Sequence, residues 1–177
     1  EKRVKEWDEC TGRLEGPETE ESRPRVSGQI DQVGVNEGAL VNKGDMLFQI
    51  DPRPFQAEVR RLEAQLQQAR ANSSRSDNEA QRGQRLQASN AISAELAETR
   101  SSSAQEARAA MAGIQAQLDL AKLNLSFTRV TAPISGRVSR AEITAGNIVT
   151  ADVTALTSVV STDKVYAYFD TDERVYL

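Results

Sequence analysis

A coiled-coil seam that runs out and back through the middle of the chain constrains the fold more than any other sequence feature. In the first arm, small or apolar residues recur at alternating steps of four and three, at Phe55, Val59, Leu62, Leu66, Ala69, Ser73, Ser76, Ala80 and Gly83. Read backwards from Leu125, the same spacing continues through Ala121, Leu118, Ile114, Met111, Ala107, Ala104 and, after one break at Arg100, Ala97. Because this spacing is typical of coiled coils, it predicts two long helices folded into an antiparallel hairpin.

The predicted hairpin spans residues 54–124, with its turn at residues 87–91, where the seam is weakest. At the rise of an α-helix, each arm would be roughly 45–50 Å long. The seam residues are large at the base of the hairpin and small towards the turn. We therefore expect a thin, polar tip that is held by little buried apolar surface.

The segments on either side of the hairpin are β-rich and repeat one another. Residues 26–30 (Val-Ser-Gly-Gln-Ile) match residues 134–138 (Ile-Ser-Gly-Arg-Val), and the match continues at the same offset until Asp152, which falls opposite Gly44. Neither half has enough apolar surface to be stable alone. The repeat predicts one β-sandwich split by the hairpin, whose two ends must then lie close together. The residues expected inside the sandwich are Val26, Ile30, Ile134 and Val138.

The two outer segments, residues 1–23 and 154–177, carry short strand patterns and are predicted to belong to a third module. A capping-box pattern at Asp170–Glu173 predicts a helix, and the chain ends about one turn later. This pattern favours the interpretation that the outer module is truncated. Cys10 has no second cysteine to pair with, and we expect it to be a half-buried strand residue.

Composition excludes several classes of function. The net charge of −4 argues against binding to nucleic acid, and no apolar run approaches the roughly 20 residues that span a bilayer. The chain has no histidine, which removes the commonest metal ligand and the usual general base near neutral pH. It also has no glycine-rich phosphate loop. We expect no enzyme activity, no catalytic or metal-binding residues and no cofactor.

The motifs that flank the hairpin resemble the two halves of a biotinyl/lipoyl-like domain. They are residues 25–28 with 37–45, and residues 132–138 with 145–146. With a hairpin between them, the chain is similar to the periplasmic adaptors, or membrane fusion proteins, of tripartite RND-type multidrug efflux pumps. Residues 7–9, 48–55 and 165–170 look closest to the MexE/OqxA-type branch.

This resemblance implies an α+β fold that is elongated and built of several modules. An antiparallel α-helical coiled-coil hairpin (54–124) would be inserted into a split lipoyl-like sandwich (24–53 and 125–153). Parts of a β-barrel module (1–23 and 154–177) would flank the sandwich.

The resemblance also implies a function. The protein would bridge an inner-membrane RND drug/proton antiporter and an outer-membrane efflux channel, and it would associate with other adaptor copies. It would act in the periplasm, attached to the inner membrane in the full-length protein. Members of the family carry an arginine, a leucine four residues later and a serine seven after that, which engage the helical tips of the channel. Arg82, Leu86 and Ser93 match this spacing.

The residues alone leave a second interpretation of the tip open. Ser93 stands where a helix N-cap is expected, with Glu95 and Glu98 in the first turns. Arg82 could form a surface ion pair with Glu79. Leu86 lies where the coil can bury little, so that an exposed apolar side chain is expected there.

Three other functions remain to be weighed against an RND adaptor. An adaptor of an ABC-type exporter or a type I secretion system would have the same order of modules, and only its transporter would distinguish it. A biotinyl/lipoyl carrier domain would need an acceptor lysine at the turn between the halves, where the hairpin lies instead; Lys43 falls one strand earlier. A simple structural coiled coil would not need the split β domain.

Overall fold

The computed structural model describes residues 12–15, 19–162 and 166–169. The chain divides into two compact units, one formed by Glu1–Ile50 with Arg129–Leu177 and the other by Asp51–Thr128. Cys10 and the capping-box pattern at Asp170–Glu173 lie outside the described residues. Within the described ranges, no helix combines the length and the apolar character that crossing a membrane requires.

The Asp51–Thr128 unit is a hairpin of two helices, α1 (Arg53–Ala88) and α2 (Ala94–Phe127). Every residue of the predicted seam is buried or half-buried, so the seam is confirmed. Its large side chains form one apolar cluster, and Met111, Ile114 and Leu125 pack against it; the buried members are Val59, Leu62, Leu66, Leu118 and Ala121. Small residues continue the seam towards the turn, as the sequence predicts.

The predicted end of the second helix was wrong by three residues. The helix continues past residue 124 to Phe127, and Thr128 is its C-cap. The hydroxyl of Thr128 donates a hydrogen bond of 2.7 Å to the carbonyl oxygen of Leu125. The backbone N–H of Thr128 donates to the same carbonyl at 3.2 Å, so that backbone and side chain of the C-cap both bind the last turn.

The break in the second arm at Arg100 has a structural cause. Gly83 is buried on the facing helix, and a Cβ atom added to it would lie 3.0 Å from Cδ of Arg100. The aliphatic stem of Arg100 therefore occupies the space that a side chain at position 83 would fill. A glycine and a long stem replace the usual pair of small residues, and the helices stay close together.

One flank of the hairpin is linked across the two helices by polar contacts. These contacts join Glu63 to Lys122 (3.4 Å), Arg70 to Gln115 (3.3 Å) and Asp77 to Arg108 (2.8 Å). From one contact to the next, the position advances by seven residues on α1 and goes back by seven on α2. All six residues directly follow a seam position. We call this side, defined by these three contacts, the tied flank. The seven-residue spacing of these contacts is in register with the apolar seam beside them.

The base of α1 carries two local ion pairs that change carboxyl pKa values. Two hydrogen bonds from Arg61, of 2.6 and 2.8 Å, lower the pKa of Glu58 below its ordinary value. A side-chain hydrogen bond from Arg53, aided by the bond from its backbone N–H, lowers the pKa of Asp51. Because both pairs face solvent, they contribute little to stability.

Among its described residues, the other unit has ten short strands in three antiparallel sheets. Two sheets have four strands each, in the orders β2-β9-β7-β4 and β6-β5-β3-β8, and the third pairs β1 with β10. The strands are β1 (Gly12–Glu15), β2 (Thr19–Ser22), β3 (Gly28–Val33), β4 (Leu40–Val41), β5 (Met46–Ile50), β6 (Arg129–Thr131), β7 (Gly136–Val138), β8 (Ile148–Val149), β9 (Thr157–Val160) and β10 (Tyr166–Phe169).

The two four-stranded sheets form one sandwich and repeat one another. In one sheet Gly28 pairs with Val149, and in the other Gly136 pairs with Val41, which is the same pair displaced by the sequence offset. The core includes Ile30, Phe48, Ile50, Val138, Val149 and Val159, all fully buried or nearly so. Of the four residues predicted inside the sandwich, Val26, Ile30 and Val138 are buried and Ile134 is half-buried.

The structural repeat extends beyond the point where the sequence repeat fails. Asp152 has a φ of +58°, as Gly44 opposite it has a φ of +94°. The N–H of Gly44 donates to the carbonyl of Ala132 (2.9 Å), and the N–H of Asp152 donates to the carbonyl of Pro24 (2.8 Å). Asp152 thus adopts the left-handed conformation of the glycine, which aspartate tolerates better than most residues.

Strand pairing corrects the predicted boundaries of the sandwich. Residues 19–22 and 157–160 were assigned to the outer module, but as β2 and β9 they lie in one sheet with β7 and β4. Val138 pairs with Val159 there, so the sandwich includes these strands. Outside it, β1 pairs with β10, and the assignment of this outer part to a β-barrel module stays a prediction.

Candidate functional site at the hairpin tip

The tip begins with a Schellman motif at the end of α1. Asn90 has a φ of +59°, and its N–H donates to the carbonyl of Gln87 at 2.9 Å. The N–H of Ala91 donates to the carbonyl of Leu86 at 2.8 Å. These two bonds are the pair that defines the motif. They keep residues 87 and 88 helical, so the connection starts later than predicted.

Ser93 is the N-cap of α2, as one of the two interpretations of the sequence predicts. Its Oγ accepts a hydrogen bond of 3.2 Å from the N–H of Leu96, and its carbonyl accepts one of 3.2 Å from the N–H of Ala97. Glu95 lies in the first turn, where the helix dipole favours negative charge. The hydroxyl hydrogen of Ser93 is still available as a donor, because only Oγ serves the cap.

Arg82 makes no ion pair with Glu79, so that prediction was wrong. Within the described ranges, the side chain of Arg82 has neither an ion pair nor a hydrogen bond, and the same holds for Arg85. Both side chains are exposed. The tip therefore presents two guanidinium groups whose donors face solvent.

Leu86 is less exposed than the sequence suggests. It is half-buried, whereas Leu96 on the other helix is 42% exposed. Sequence analysis did not single out Leu96, although it directly precedes the seam residue Ala97, a position at the flank of a coiled coil. The exposed apolar side chain at the tip thus lies on α2, while the leucine expected to be exposed on α1 is half-buried.

Two of the three predicted residues, Arg82 and Leu86, lie on α1, and the third, Ser93, lies at the start of α2. Arg82 and Leu86 are four residues apart and share one face of α1, while Ser93 lies at the start of α2, after the short connection. The Schellman bond from Ala91 to Leu86 ties this connection to the first helix. Among the residues that the structure describes, no group of three or more acidic, cysteine or histidine side chains could hold a metal ion.

Comparison with known proteins identifies the family. A family model described as "RND MFP, barrel-sandwich hybrid domain" matches residues 18–161, which is most of the chain and includes both the sandwich and the hairpin. The chain belongs to this family. It is an RND-type membrane fusion protein, and the α+β fold with a hairpin inserted into a split β-sandwich is the fold expected for it.

Curated relatives and solved structures agree with this assignment. The membrane fusion protein is 37% identical over 163 residues to the efflux pump periplasmic linker BepD of Brucella suis, covering 91% of this chain and 41% of BepD. It is 34% identical over 159 residues to the multidrug efflux pump subunit AcrA of Escherichia coli K12, covering 89% of this chain and 40% of AcrA. The chain thus spans about two fifths of these two relatives.

The fold is also found in a crystal structure of a MacA–MexA chimeric protein that contains the α-hairpin domain of Pseudomonas aeruginosa MexA. The TM-score is 0.55 at 26% identity, over 94% of this chain and 56% of the chimera. The membrane fusion protein therefore shares both its sandwich and its hairpin with solved adaptors.

Proposed function

We propose that this chain is the docking part of a periplasmic adaptor that bridges an inner-membrane RND transporter and an outer-membrane channel in multidrug efflux. The observation that carries the proposal is the tip of the hairpin. Its helix ends are capped from within, yet Arg82 has no partner among the described residues and Leu86 is only half-buried. Groups that the fold does not use are available to a partner.

The three tip residues have separate roles in the proposed docking. Leu86 provides an apolar contact, Arg82 donates to backbone carbonyls or carboxylates of the channel, and the hydroxyl of Ser93 donates across the gap while its oxygen caps α2. A contact between helix ends buries modest area, on the order of 1,000 Å² or less. Useful affinity then requires several adaptor copies on one channel, since linked weak contacts strengthen each other.

Family membership supports proposals for the other partners and for the location. We propose that the protein associates with further copies of itself and with an RND transporter, in the periplasm and attached to the inner membrane when full-length. The names of the relatives, a periplasmic linker and a multidrug efflux pump subunit, support this assignment. The role is one of binding and connection, without catalysis.

The alternative functions are less well supported. An adaptor for an ABC-type exporter or type I secretion system is not favoured, because the family model that matches is that of the RND class. A biotinyl/lipoyl carrier needs an acceptor lysine in a turn that joins β5 directly to β6, but the helical hairpin of residues 51–128 forms that connection. Its lysine, Lys122, lies within α2 and is 3.4 Å from Glu63. Lys43 lies in the turn that precedes β5 instead.

The test combines Arg82→Asp with Leu86→Asp in the full-length protein. Both residues lie outside the buried seam cluster, so the helical circular dichroism signal and the melting temperature should stay almost unchanged. Drug efflux should be abolished. Crosslinking in cells to the channel, from a Gln87→Cys probe in a Cys10→Ser background, should be lost as well.

Arg75→Asp is the matched control for this test. Arg75 lies seven residues before Arg82 on the same face of α1, where it donates only to Asn72, at 2.9 Å. This change makes the same arginine-to-aspartate reversal two turns away from the tip, which matches the Arg82→Asp part of the double substitution, and efflux should persist. Efflux that survives the double substitution at Arg82 and Leu86 would remove the tip as the docking site.

A further inference from the structure

Three leucines on the hairpin are exposed, and only one of them lies at the tip. Leu120 and Leu123 are 59% and 49% exposed near the base of α2, while Leu96 is 42% exposed in its first turn. The seam contains most of the other large apolar side chains of the hairpin. Leu86, Ile92 and Phe127 lie off the seam and are half-buried. Leu96 is therefore an apolar group that neither helix packing nor capping explains.

Leu96 is the last of five residues on α2 that are spaced seven positions apart, and the other four are polar or small. On the side of the hairpin away from the tied flank, residues that directly precede seam positions line the groove between the helices; Glu58, Gln117 and Asn124 line one such groove. We call this side the open flank. Its series on α1 is Glu58, Gln65, Asn72, Glu79 and Leu86, and on α2 it is Asn124, Gln117, Ala110, Ser103 and Leu96.

In both series, the residue nearest the tip of the hairpin is a leucine. Over four successive positions each series offers no large apolar side chain, and at the fifth position Leu86 and Leu96 fall on the same side of the tip. A solvated face would continue with polar residues, since an exposed leucine contributes nothing to folding there. Within these two series the change is confined to the tip and occurs on both helices. Leu120, near the base, lines the open-flank groove as well but belongs to neither series.

The backbone at both leucines is held by the hydrogen bonds of the tip. The carbonyl of Leu86 accepts from Ala91 at 2.8 Å, and the N–H of Leu96 donates to Oγ of Ser93 at 3.2 Å. Because these positions are ordered before any partner arrives, binding there costs little conformational entropy.

We infer that Leu96 is a further residue of the channel-docking surface and forms, with Leu86, one apolar patch that spans both helices of the tip. This inference rests on the proposed function and extends it to the second helix. The docking surface then consists of the apolar patch on the open flank, with Arg82 and Arg85 beside it as donors.

The chemistry of this surface fits a helix end of the channel. The last turn of a helix leaves up to four carbonyl groups without intrahelical partners, and those are acceptors for the guanidinium groups of Arg82 and Arg85. At the α1 end of a second copy, the carbonyls of Leu86 and Gln87 already accept hydrogen bonds from Ala91 and Asn90. This leaves the exposed Glu95 and Glu98 as its acceptors. A helix end with free carbonyl groups, as proposed for the channel, is therefore the occupant that we assign to the patch.

The experiment compares Leu96→Asp with Leu120→Asp in the full-length protein that carries the Gln87→Cys probe. Leu96→Asp should lower the yield of tip-to-channel crosslink by at least about tenfold and reduce drug efflux. Leu120→Asp removes an exposed leucine from the same helix near the base and should change neither. Aspartate is favourable in the first turn of a helix, so the melting temperature should be kept. Leu96→Met, which keeps the apolar volume, should retain both crosslinking and efflux.

The outcomes separate this inference from the proposed function. If Arg82→Asp with Leu86→Asp abolishes the crosslink while Leu96→Asp behaves like Leu120→Asp, docking is limited to α1 and Ser93, and the inference is overturned. If neither set of variants lowers the crosslink, the proposed function itself fails. A crosslink that joins two copies of this chain would overturn the assignment of the occupant.

Discussion

Gly28 and Gly136 occupy equivalent positions in the two halves of the sandwich, and both lie too close to a neighbouring strand for a side chain. A Cβ on Gly28 would lie 2.6 Å from Cγ2 of Ile50, a side-chain atom. A Cβ on Gly136 would clash with the backbone carbonyl of Val160. A side chain can rotate away, but the carbonyl is held in its sheet, so the two sites differ in tolerance.

At the residue scale, we predict that Gly136→Ala lowers the free energy of unfolding by roughly 3 kcal/mol or more, at the upper end of the overpacking range. Gly28→Ala should cost less. Gly113→Ala is the control, because its Cβ would meet nothing within 4 Å and alanine is favoured over glycine in a helix by about 1 kcal/mol. Chemical denaturation followed by circular dichroism measures all three, and equal losses at Gly28 and Gly136 would contradict the argument.

The sequence predicts the seam residues well because burial in a coiled coil follows from spacing alone. It does not predict which apolar side chain at the tip is exposed. That depends on where α1 ends, and the Schellman motif at Asn90 extends the helix to Ala88, two residues into the predicted turn. The equivalence of Asp152 and Gly44 is hidden for a similar reason, since an aspartate in the left-handed conformation carries no sequence signal as clear as a glycine.

At the element scale, the hairpin is stabilised at its base and only weakly at its tip. The apolar cluster contains Leu66 and Leu118, which are 5% and 2% exposed. Ser73, further along α1, is buried to the same degree as Leu66 but contributes no large apolar surface. A gradient of stability along the hairpin follows from this difference.

We predict that Leu66→Ala or Leu118→Ala lowers the free energy of unfolding by roughly 2–4 kcal/mol, because each removes a buried side chain and leaves a cavity. Ser73→Ala, near the middle of the same seam, should change it little. Thermal and chemical unfolding of the helical signal tests the difference. A loss at Ser73 as large as that at Leu66 would show that the seam is not tapered.

Strands were harder to predict than helices. The helices contain many seven-residue steps, so that an error of a few residues at an end does not affect the pattern. The strands have two to six residues, too few for an alternation to be distinguished from chance. The assignment of β2 and β9 to the sandwich therefore depends on pairing with β7, which joins residues far apart in the sequence.

At the scale of the whole molecule, the repeat explains why a long hairpin can be inserted into a small sandwich. The insertion connects β5 to β6, and these are neighbouring antiparallel strands in which Gln49 pairs with Arg129. The connection between two such strands needs only a few residues. The pairing of β5 with β6 therefore does not in itself require a long connection between them.

The last prediction follows from this topology. Replacing residues 51–128 by a flexible linker of about five residues should leave the sandwich folded, because a short loop is the commonest connection for adjacent antiparallel strands and closing it costs less entropy than closing a longer one. The amide signals of Ile30, Val138 and Val159 in an NMR spectrum should keep the dispersion and the slow hydrogen exchange that they have in the whole chain. The same replacement in the full-length protein should abolish crosslinking to the channel, since the docking tip is gone. A shortened chain that no longer folds would mean that the sandwich depends on the hairpin for its stability, and the view of the hairpin as an independent insertion would then be wrong.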